Sequence, residues 1–324
     1  MPYNRVGKSG LKLPAISLGM WHNFGAEDSL ENQRALLRTA YDLGVTHFDL
    51  ADNYGDGAAE SNVGRILKSD FAGHRDQLII STKSGHCFWD GPYGGGPGGG
   101  SRKHLIAGID QSLKRLQLDY VDIFYHHTPD QETMLEETVD ALAQVVYQGK
   151  ALYIGISNYY GNRSREIRRL LKDAKVPCLI NQLPFNLFDR NAETSGEFNS
   201  LLKDGVGSIT FSPLAQGLLT DRYLGGIPVN SRAGKTGTCL EASAITETNI
   251  IKVKKLNRIA QERGQSLAQM ALCWNLRLEP VASVLIGASQ AEQIASNVDA
   301  LKKTQFDDDE LHAIEEICNA SLLS

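Results

Sequence analysis

Four side chains suited to proton chemistry stand at or just beyond the ends of apolar runs: Asp49, Tyr54, Lys83 and His127. Val45, His47, Phe48 and Leu50 surround Asp49 as a buried strand, and a short polar loop then reaches Tyr54 and Gly55. A carboxylate in such a place costs free energy unless a cation pairs with it. Lys83 ends the next apolar run, and adjacent strand ends in a parallel barrel lie about 5 Å apart. A cation beside a phenol favours the phenolate, so the pair is expected to bring Tyr54 below its usual value of about 10. A tyrosine tuned in this way exchanges a proton with a carbonyl-level oxygen. His127 can donate a hydrogen bond that orients the same oxygen. Together the four predict a site that protonates an oxygen while a hydride reaches the neighbouring carbon.

His126 precedes His127, and neighbouring side chains of a strand point to opposite sides, so only one of the two can face such a site. Asp122, five residues earlier, supports the register that turns His127 inward, but spacing alone leaves His126 open.

These residues need a scaffold that brings strand ends together. A small hairpin is expected over residues 3–13 around Lys8-Ser9-Gly10. Eight short apolar strands follow, at about 15–20, 45–50, 78–83, 120–127, 151–157, 178–183, 208–211 and 284–287. Helical patterns separate them: Leu36, Leu37 and Ala40 after an Asp28 or Ser29 cap; Val63, Ile66 and Leu67; Leu105, Ile109 and Leu116 from Ser101. Thr133-x-x-Glu136 reads as a capping box for the helix carrying Leu135, Val139 and Leu142. Helices are also expected near Ile167 and Leu171, near Leu201, over 245–263 and 266–277, and near Ile294. Strands alternating with helices are parallel and covered by them. Eight such units without a composition break predict one domain over residues 1–324, a closed (β/α)8 barrel, with an open doubly wound sheet as the alternative. The active site of a barrel lies where strands end. Those ends read Trp21, Asp49, Lys83, His127, Ser157-Asn158, Gln182, Ser212 and Ser289, nearly all polar.

Composition narrows the class. Hydrophobic residues make up 42% of 324 and charged ones 22%, ample for a full core. The net charge of −5 without a basic tract argues against nucleic acid or an anionic membrane as partner. Cys87, Cys178, Cys239, Cys273 and Cys318 are odd in number, scattered and without a CxxC pair, which points to reduced thiols in the cytoplasm. Neither a signal segment nor a spanning apolar run is present. The eight histidines lack metal-ligand spacing, so no metal is expected. Gly94, Gly96 and Gly99 spell G-x-G-x-x-G, but Pro97 interrupts them and no strand directly precedes them. The stretch reads as a loop over the barrel mouth rather than a nucleotide fingerprint. Bland roles compete elsewhere: a structural ion pair for Asp49–Lys83, and structural or solvated places for His47, His86 and His104. Cys87 lies near the site without marks of a nucleophile.

The strings FDLADNYG, ISTK and DIFYHH, in this order at strand ends, resemble the aldo-keto reductases, whose tetrad is Asp, Tyr, Lys and His. GKSGLKLPAISLGMWHNFG, FSPLAQGLLTDRY and SVLIGASQAEQ are similar to the branch that holds bacterial L-glyceraldehyde 3-phosphate reductases and potassium-channel β subunits. The resemblance implies hydride transfer from NADPH, with Tyr54 as acid, Lys83 and Asp49 tuning it, and His127 orienting substrate. It implies cofactor contacts from Trp21, Asp49, Ser157, Asn158 and Gln182 around the nicotinamide, and Phe211 stacked on its ring. Ser212, Pro213, Leu214, Gln216 and Gly217 would cover the pyrophosphate. Arg222, Arg232, Gly287, Ser289, Gln293 and Asn297 would surround the adenosine end and its 2′-phosphate. Arg222 stands where relatives often carry Lys, and Ser296 where they often carry Glu. Trp21, Tyr54 and His127 would meet a small aldehyde such as L-glyceraldehyde 3-phosphate or methylglyoxal, with Arg102 or Lys103 near a phosphate. A homo-oligomer is also implied. The rival expectation is an NADPH-holding regulatory subunit that acts through a partner.

Overall fold

The computed structural model describes residues 1–94, 99–227 and 245–320. Arg232, Gly96, Pro97 and Cys239 lie outside them. The N-terminal hairpin pairs β1 (Tyr3–Arg5) with β2 (Lys12–Pro14). Eight strands follow: β3 (Ile16–Gly19), β4 (His47–Asp49), β5 (Ile79–Ser84), β6 (Val121–His126), β7 (Ala151–Ser157), β8 (Cys178–Pro184), β9 (Gly207–Phe211) and β10 (Val281–Ile286). They close in the order β10-β3-β4-β5-β6-β7-β8-β9, all neighbours parallel, so the structure is the closed barrel and not the open sheet.

The covering helices include α1 (Leu30–Asp42), α2 (Ala58–Asp70), α3 (Arg102–Leu116), α4 (Leu135–Tyr147), α5 (Gly161–Asp173), the short α6 (Asn191–Thr194) and α7 (Glu197–Asp204). After them come α8 (Glu247–Glu262), α9 (Leu267–Leu276), α10 (Ala291–Asp299) and α11 (Asp308–Asn319). Ser29 and Ser101 cap α1 and α3 through their hydroxyls, as their spacing predicts. The expected capping box of α4 does not form. Its N-cap is Met134, and the Thr133 hydroxyl instead donates to Asp130 at 2.6 Å. The helix begins at Leu135, so Thr133 stands one residue before the cap and Glu136 one residue short of the third helical position that the box needs. The helix α11, opened by a capping box between Asp307 and Glu310, is an addition to the predicted elements.

The strands sort their side chains by parity. On β6, Ile123 and Tyr125 join the cluster inside the barrel with Ile180, Ile209 and Leu285, while Phe124 packs into the helix layer. Val6 and Leu13 of the hairpin join the same inner cluster. Gly155 on β7 lets the Tyr125 ring lie flat inside the barrel, because a Cβ there would stand 2.4 Å from the ring. Among the described residues, no helix is long and apolar enough to cross a membrane.

Candidate active site

The register of the barrel brings the four predicted side chains together. Asp49 on β4 pairs across to Ser81, and Lys83 lies two residues further along β5, where alternation returns it to the same inner face. The Lys83 ammonium, with no exposed surface, donates to Asp49 Oδ2 at 2.5 Å, to the Leu50 carbonyl at 2.6 Å and to the Tyr54 hydroxyl at 3.2 Å. Tyr54 opens a 3-10 turn (Tyr54–Gly57), and positive φ at Gly55, Asp56 and Gly57 bends the chain sharply into α2. His127 follows the inward parity of Ile123 and Tyr125, and its ring meets Tyr54 edge-on at 5.9 Å. His126 points to the helix layer, where its Nδ1 lies 2.7 Å from the Tyr159 hydroxyl.

Asp49 is supported from below by side chains of several strands. Ser81 donates to its Oδ1 at 2.7 Å and the Gln182 amide does so at 3.2 Å. Ser81 in turn meets His47 Nε2 at 2.9 Å, His47 Nδ1 meets Ser17 at 2.9 Å, and Ser17 meets Ser283 at 2.6 Å. His47 thus has the structural role expected of it. Burial holds it neutral, at about 4.

The electrostatics correct one expectation. Burial is the largest influence on the Tyr54 phenol and raises it; Lys83 pulls it down, but Asp49 and Asp52 push it up again, and the net displacement is above 10. Sequence reasoning counts the cation but cannot see how completely the ring is desolvated. The phenol therefore holds its proton at neutral pH. Burial also works against the Lys83 cation, yet Asp49 and Tyr54 outweigh it and hold lysine above its ordinary value. His127 is driven well below 6.5 by burial, then by Lys83, His86 and His126, so it faces the site as a neutral imidazole. Beside Tyr54, Asp52 is fully buried and neither carboxyl oxygen completes a hydrogen bond of ordinary geometry. Burial pushes it up to about 7, with Ser84 easing and Glu60 adding to the effect.

Above these groups opens a cavity of about 1350 Å³. Asp49, Tyr54 and His127 form its floor, and Trp21, 6.3 Å from the Tyr54 ring, forms one wall. Ser157, Asn158, Gln182 and Phe211 line it from the ends of β7, β8 and β9. Ser157 and Asn158 are tied to the neighbouring strand ends: Ser157 donates to the Gln182 carbonyl at 3.0 Å, and the Asn158 amide donates to the His127 carbonyl at 3.1 Å. The segment after β9 contributes Ser212, Pro213, Leu214, Gln216 and Gly217. Ser212, Ala215 and Gln216 there all have positive φ (54°, 46° and 58°), and Asn158 across the cavity has 62°. Non-glycine residues held at positive φ cluster at ligand sites. Gly287, Ser289, Gln293 and Asn297 line the far end with Arg222. A Cβ on Gly287 would meet no protein atom and would stand in the open cavity. The cavity is long enough to run from the Tyr54 floor to the start of α10, a shape suited to an extended dinucleotide.

Two expectations are revised. Arg102 lines no part of the cavity: its guanidinium is held by Gln144 at 3.1 Å and lies against Asp140 of α4. His86, assigned a structural or solvated place, lines the cavity beside His127. It stands in a loop beyond β5, where strand parity gives no rule. Glu292 at the start of α10 also lines the cavity and was not expected; its place in the first turn of that helix was the available signal. Among the described residues, no group of three His, Cys, Asp or Glu could hold a metal ion.

The family model described as "Aldo/keto reductase family" matches residues 15–319. An L-glyceraldehyde 3-phosphate reductase of Escherichia coli (strain K12) is 54% identical over 98% of this chain and 92% of its own. A probable voltage-gated potassium channel subunit beta of Oryza sativa subsp. japonica is 38% identical over 93% of this chain and 91% of its own. Among solved structures, the holo form of the aldo-keto reductase AKR11C1 from Bacillus halodurans aligns with a TM-score of 0.79 at 26% identity, covering 100% of this chain and 98% of that one. The thermostable aldo-keto reductase Tm1743, solved with the inhibitor epalrestat, aligns with a TM-score of 0.75 at 28% identity, covering 98% and 100%.

Proposed function

The chain belongs to the aldo/keto reductase family, and from that premise we propose that it is an NADPH-dependent reductase of small aldehydes, with Tyr54 as the general acid. The observation that carries the reading is the Tyr54 hydroxyl, held 3.2 Å from a fully buried Lys83 that is itself paired with Asp49, on the floor of a cavity shared with His127. A reduced nicotinamide bound beside this floor would supply a hydride to the carbonyl carbon.

The protein's own residues do the rest. Tyr54, still protonated at neutral pH, gives its proton to the carbonyl oxygen. Lys83 stabilises the phenolate left behind, and Asp49 holds Lys83 in place. Neutral His127 donates a hydrogen bond to the same oxygen without competing for the proton. Ser157, Asn158 and Gln182 would hold the carboxamide, and Phe211 would lie against the ring. Residues 212–217 would follow the pyrophosphate, and Arg222, Ser289, Gln293 and Asn297 would take the 2′-phosphate end. Glu292 lies near that end and opposes a second negative charge, so the 2′-phosphate depends on the Arg222 cation.

The substrates proposed are L-glyceraldehyde 3-phosphate, methylglyoxal and related reactive carbonyls; the E. coli relative bears the first in its name. A cytoplasmic location and a homo-oligomeric state belong to the same proposal. Cys87, Cys178, Cys273 and Cys318 are free thiols, in keeping with a reducing compartment. The potassium-channel relative supports a second reading, a regulatory subunit that senses the nicotinamide state for a partner.

One assay separates the two. Loss of NADPH absorbance is followed with glyceraldehyde 3-phosphate enantiomers and methylglyoxal, for the wild type and Tyr54→Phe. The reductase reading expects turnover that the variant loses by about 10²–10⁴-fold in kcat, with NADPH binding intact. Tight NADPH binding without turnover on any carbonyl would transfer the assignment to the regulatory subunit.

A further inference from the structure

Besides His127 the cavity is lined by His22 and His86, and the proton transfer uses neither. His86 lies two residues beyond the end of β5, and its ring meets that of His127 edge-on, with centroids 4.3 Å apart and planes at 79°. The loop that carries it is held at two points. Phe88 lies under the Arg115 guanidinium at 4.9 Å, and Trp89 stacks on His104 at 4.6 Å. Arg115 is itself bound at 2.7 Å to Glu60, whose side chain is fully buried. The loop is thus bolted to α3, and His86 is placed rather than loose.

His127 has its Nδ1 buried without a hydrogen-bond partner, which leaves its other nitrogen to meet the carbonyl oxygen. Burial and Lys83 disfavour the charged form of His86 as well, so it offers a hydrogen bond and not a charge. The reacting oxygen already receives Tyr54 and His127. A donor one ring further along the same wall is placed for a polar atom on the carbon next to the carbonyl.

We propose that His86 is a specificity-determining residue. It binds the oxygen on the carbon next to the reacting carbonyl, so the protein favours α-hydroxyaldehydes and α-dicarbonyls over plain alkanals. This rests on the reductase reading above and names the feature that its substrates share. A hydrogen bond lost from such a contact is expected to change selectivity about tenfold.

The test pairs lactaldehyde with propanal, which differ only in that oxygen. The quantities measured are kcat and KM for the wild type, His86→Leu and His86→Gln, with NADPH binding by fluorescence as the check on folding. The expected result is a wild-type preference for lactaldehyde in kcat/KM that falls about tenfold in His86→Leu, mainly through KM, and recovers in part in His86→Gln. An unchanged preference in His86→Leu, an equal loss on both aldehydes, or no wild-type preference overturns the proposal. If the wild type reduces neither aldehyde while binding NADPH, the reductase reading fails first and takes this inference with it.

Discussion

Replacing Lys83 with Met removes the cation on which the site is built, and the structure sets the size of the effect. The ammonium has no exposed surface and donates to Asp49, Leu50 and Tyr54. Its loss leaves the Asp49 carboxylate buried, with Ser81 and Gln182 still donating to Oδ1 but nothing on Oδ2. Breaking one side of a buried ion pair costs about 3–5 kcal/mol. Each remaining donor to a charged group retains about 1.5–3 kcal/mol, which places this case at the lower end, at about 3 kcal/mol. In a chain of this length that corresponds to a fall in Tm of roughly 4 °C. Asp49→Asn combined with Lys83→Met leaves no stranded charge, so the double variant recovers most of the loss. Asp49→Asn alone strands the buried Lys83 ammonium in the same way, so the coupling in the cycle exceeds the cost of either single variant. Urea and thermal unfolding of the four proteins in one buffer measure it, and NADPH turnover is followed in parallel. Turnover stays low in the double variant, because Tyr54 has lost the cation that stabilises its phenolate. A Lys83→Met protein within about 0.5 kcal/mol of wild type would refute the reasoning, as would a double variant no more stable than the single.

Two further outcomes depend on pH. In the proposed mechanism reduction needs the Tyr54 proton, the phenol is displaced above 10 and His127 well below 6.5. The kcat/KM for carbonyl reduction should therefore be level from about pH 7 to 9 and fall only beyond that; a descending limb between about pH 7 and 8 would overturn the upward displacement of the phenol. Asp52 binds its proton more tightly folded than unfolded, at about 7 against 3.8. Its contribution to stability is complete below about pH 4 and is lost as pH rises through 7, a displacement worth about 4 kcal/mol. Asp52→Asn should flatten that decline and exceed the wild type in stability at pH 8, as read by urea midpoints across pH; parallel pH curves for the two proteins would rule it out.

The barrel and the convergence of Asp49, Tyr54, Lys83 and His127 were legible because both follow from periodicity. Eight apolar runs fix the strand count and adjacent strand ends bring Asp49 and Lys83 together, while parity shows that only one of His126 and His127 can face the site and the family resemblance selects His127. What was not legible depends on distance and desolvation. His86 sits in a loop without a repeat to index it. Arg102 was free on paper to reach a phosphate, yet Gln144 and Asp140 of α4 hold it. The sign of the Tyr54 displacement needed the depth of burial, which a neighbouring cation in the sequence does not report. Thr133 had the spacing of a cap, but the helix begins one residue later, with Met134 at the cap.

The line of contacts beneath Asp49 has a consequence for how the protein comes into being. Ser283 closes that line onto Ser17, a partner 266 positions earlier, and Gln182 reaches Asp49 from 133 positions away. A chain emerging from the ribosome carries Asp49 and Lys83 early, but their full support waits for the last strand to arrive. Closure over such spans is slow compared with forming local helices. The barrel is thus seamed and its acid site braced in the same late event, and a truncated product lacking β10 would carry the residues of the site without the frame that positions them.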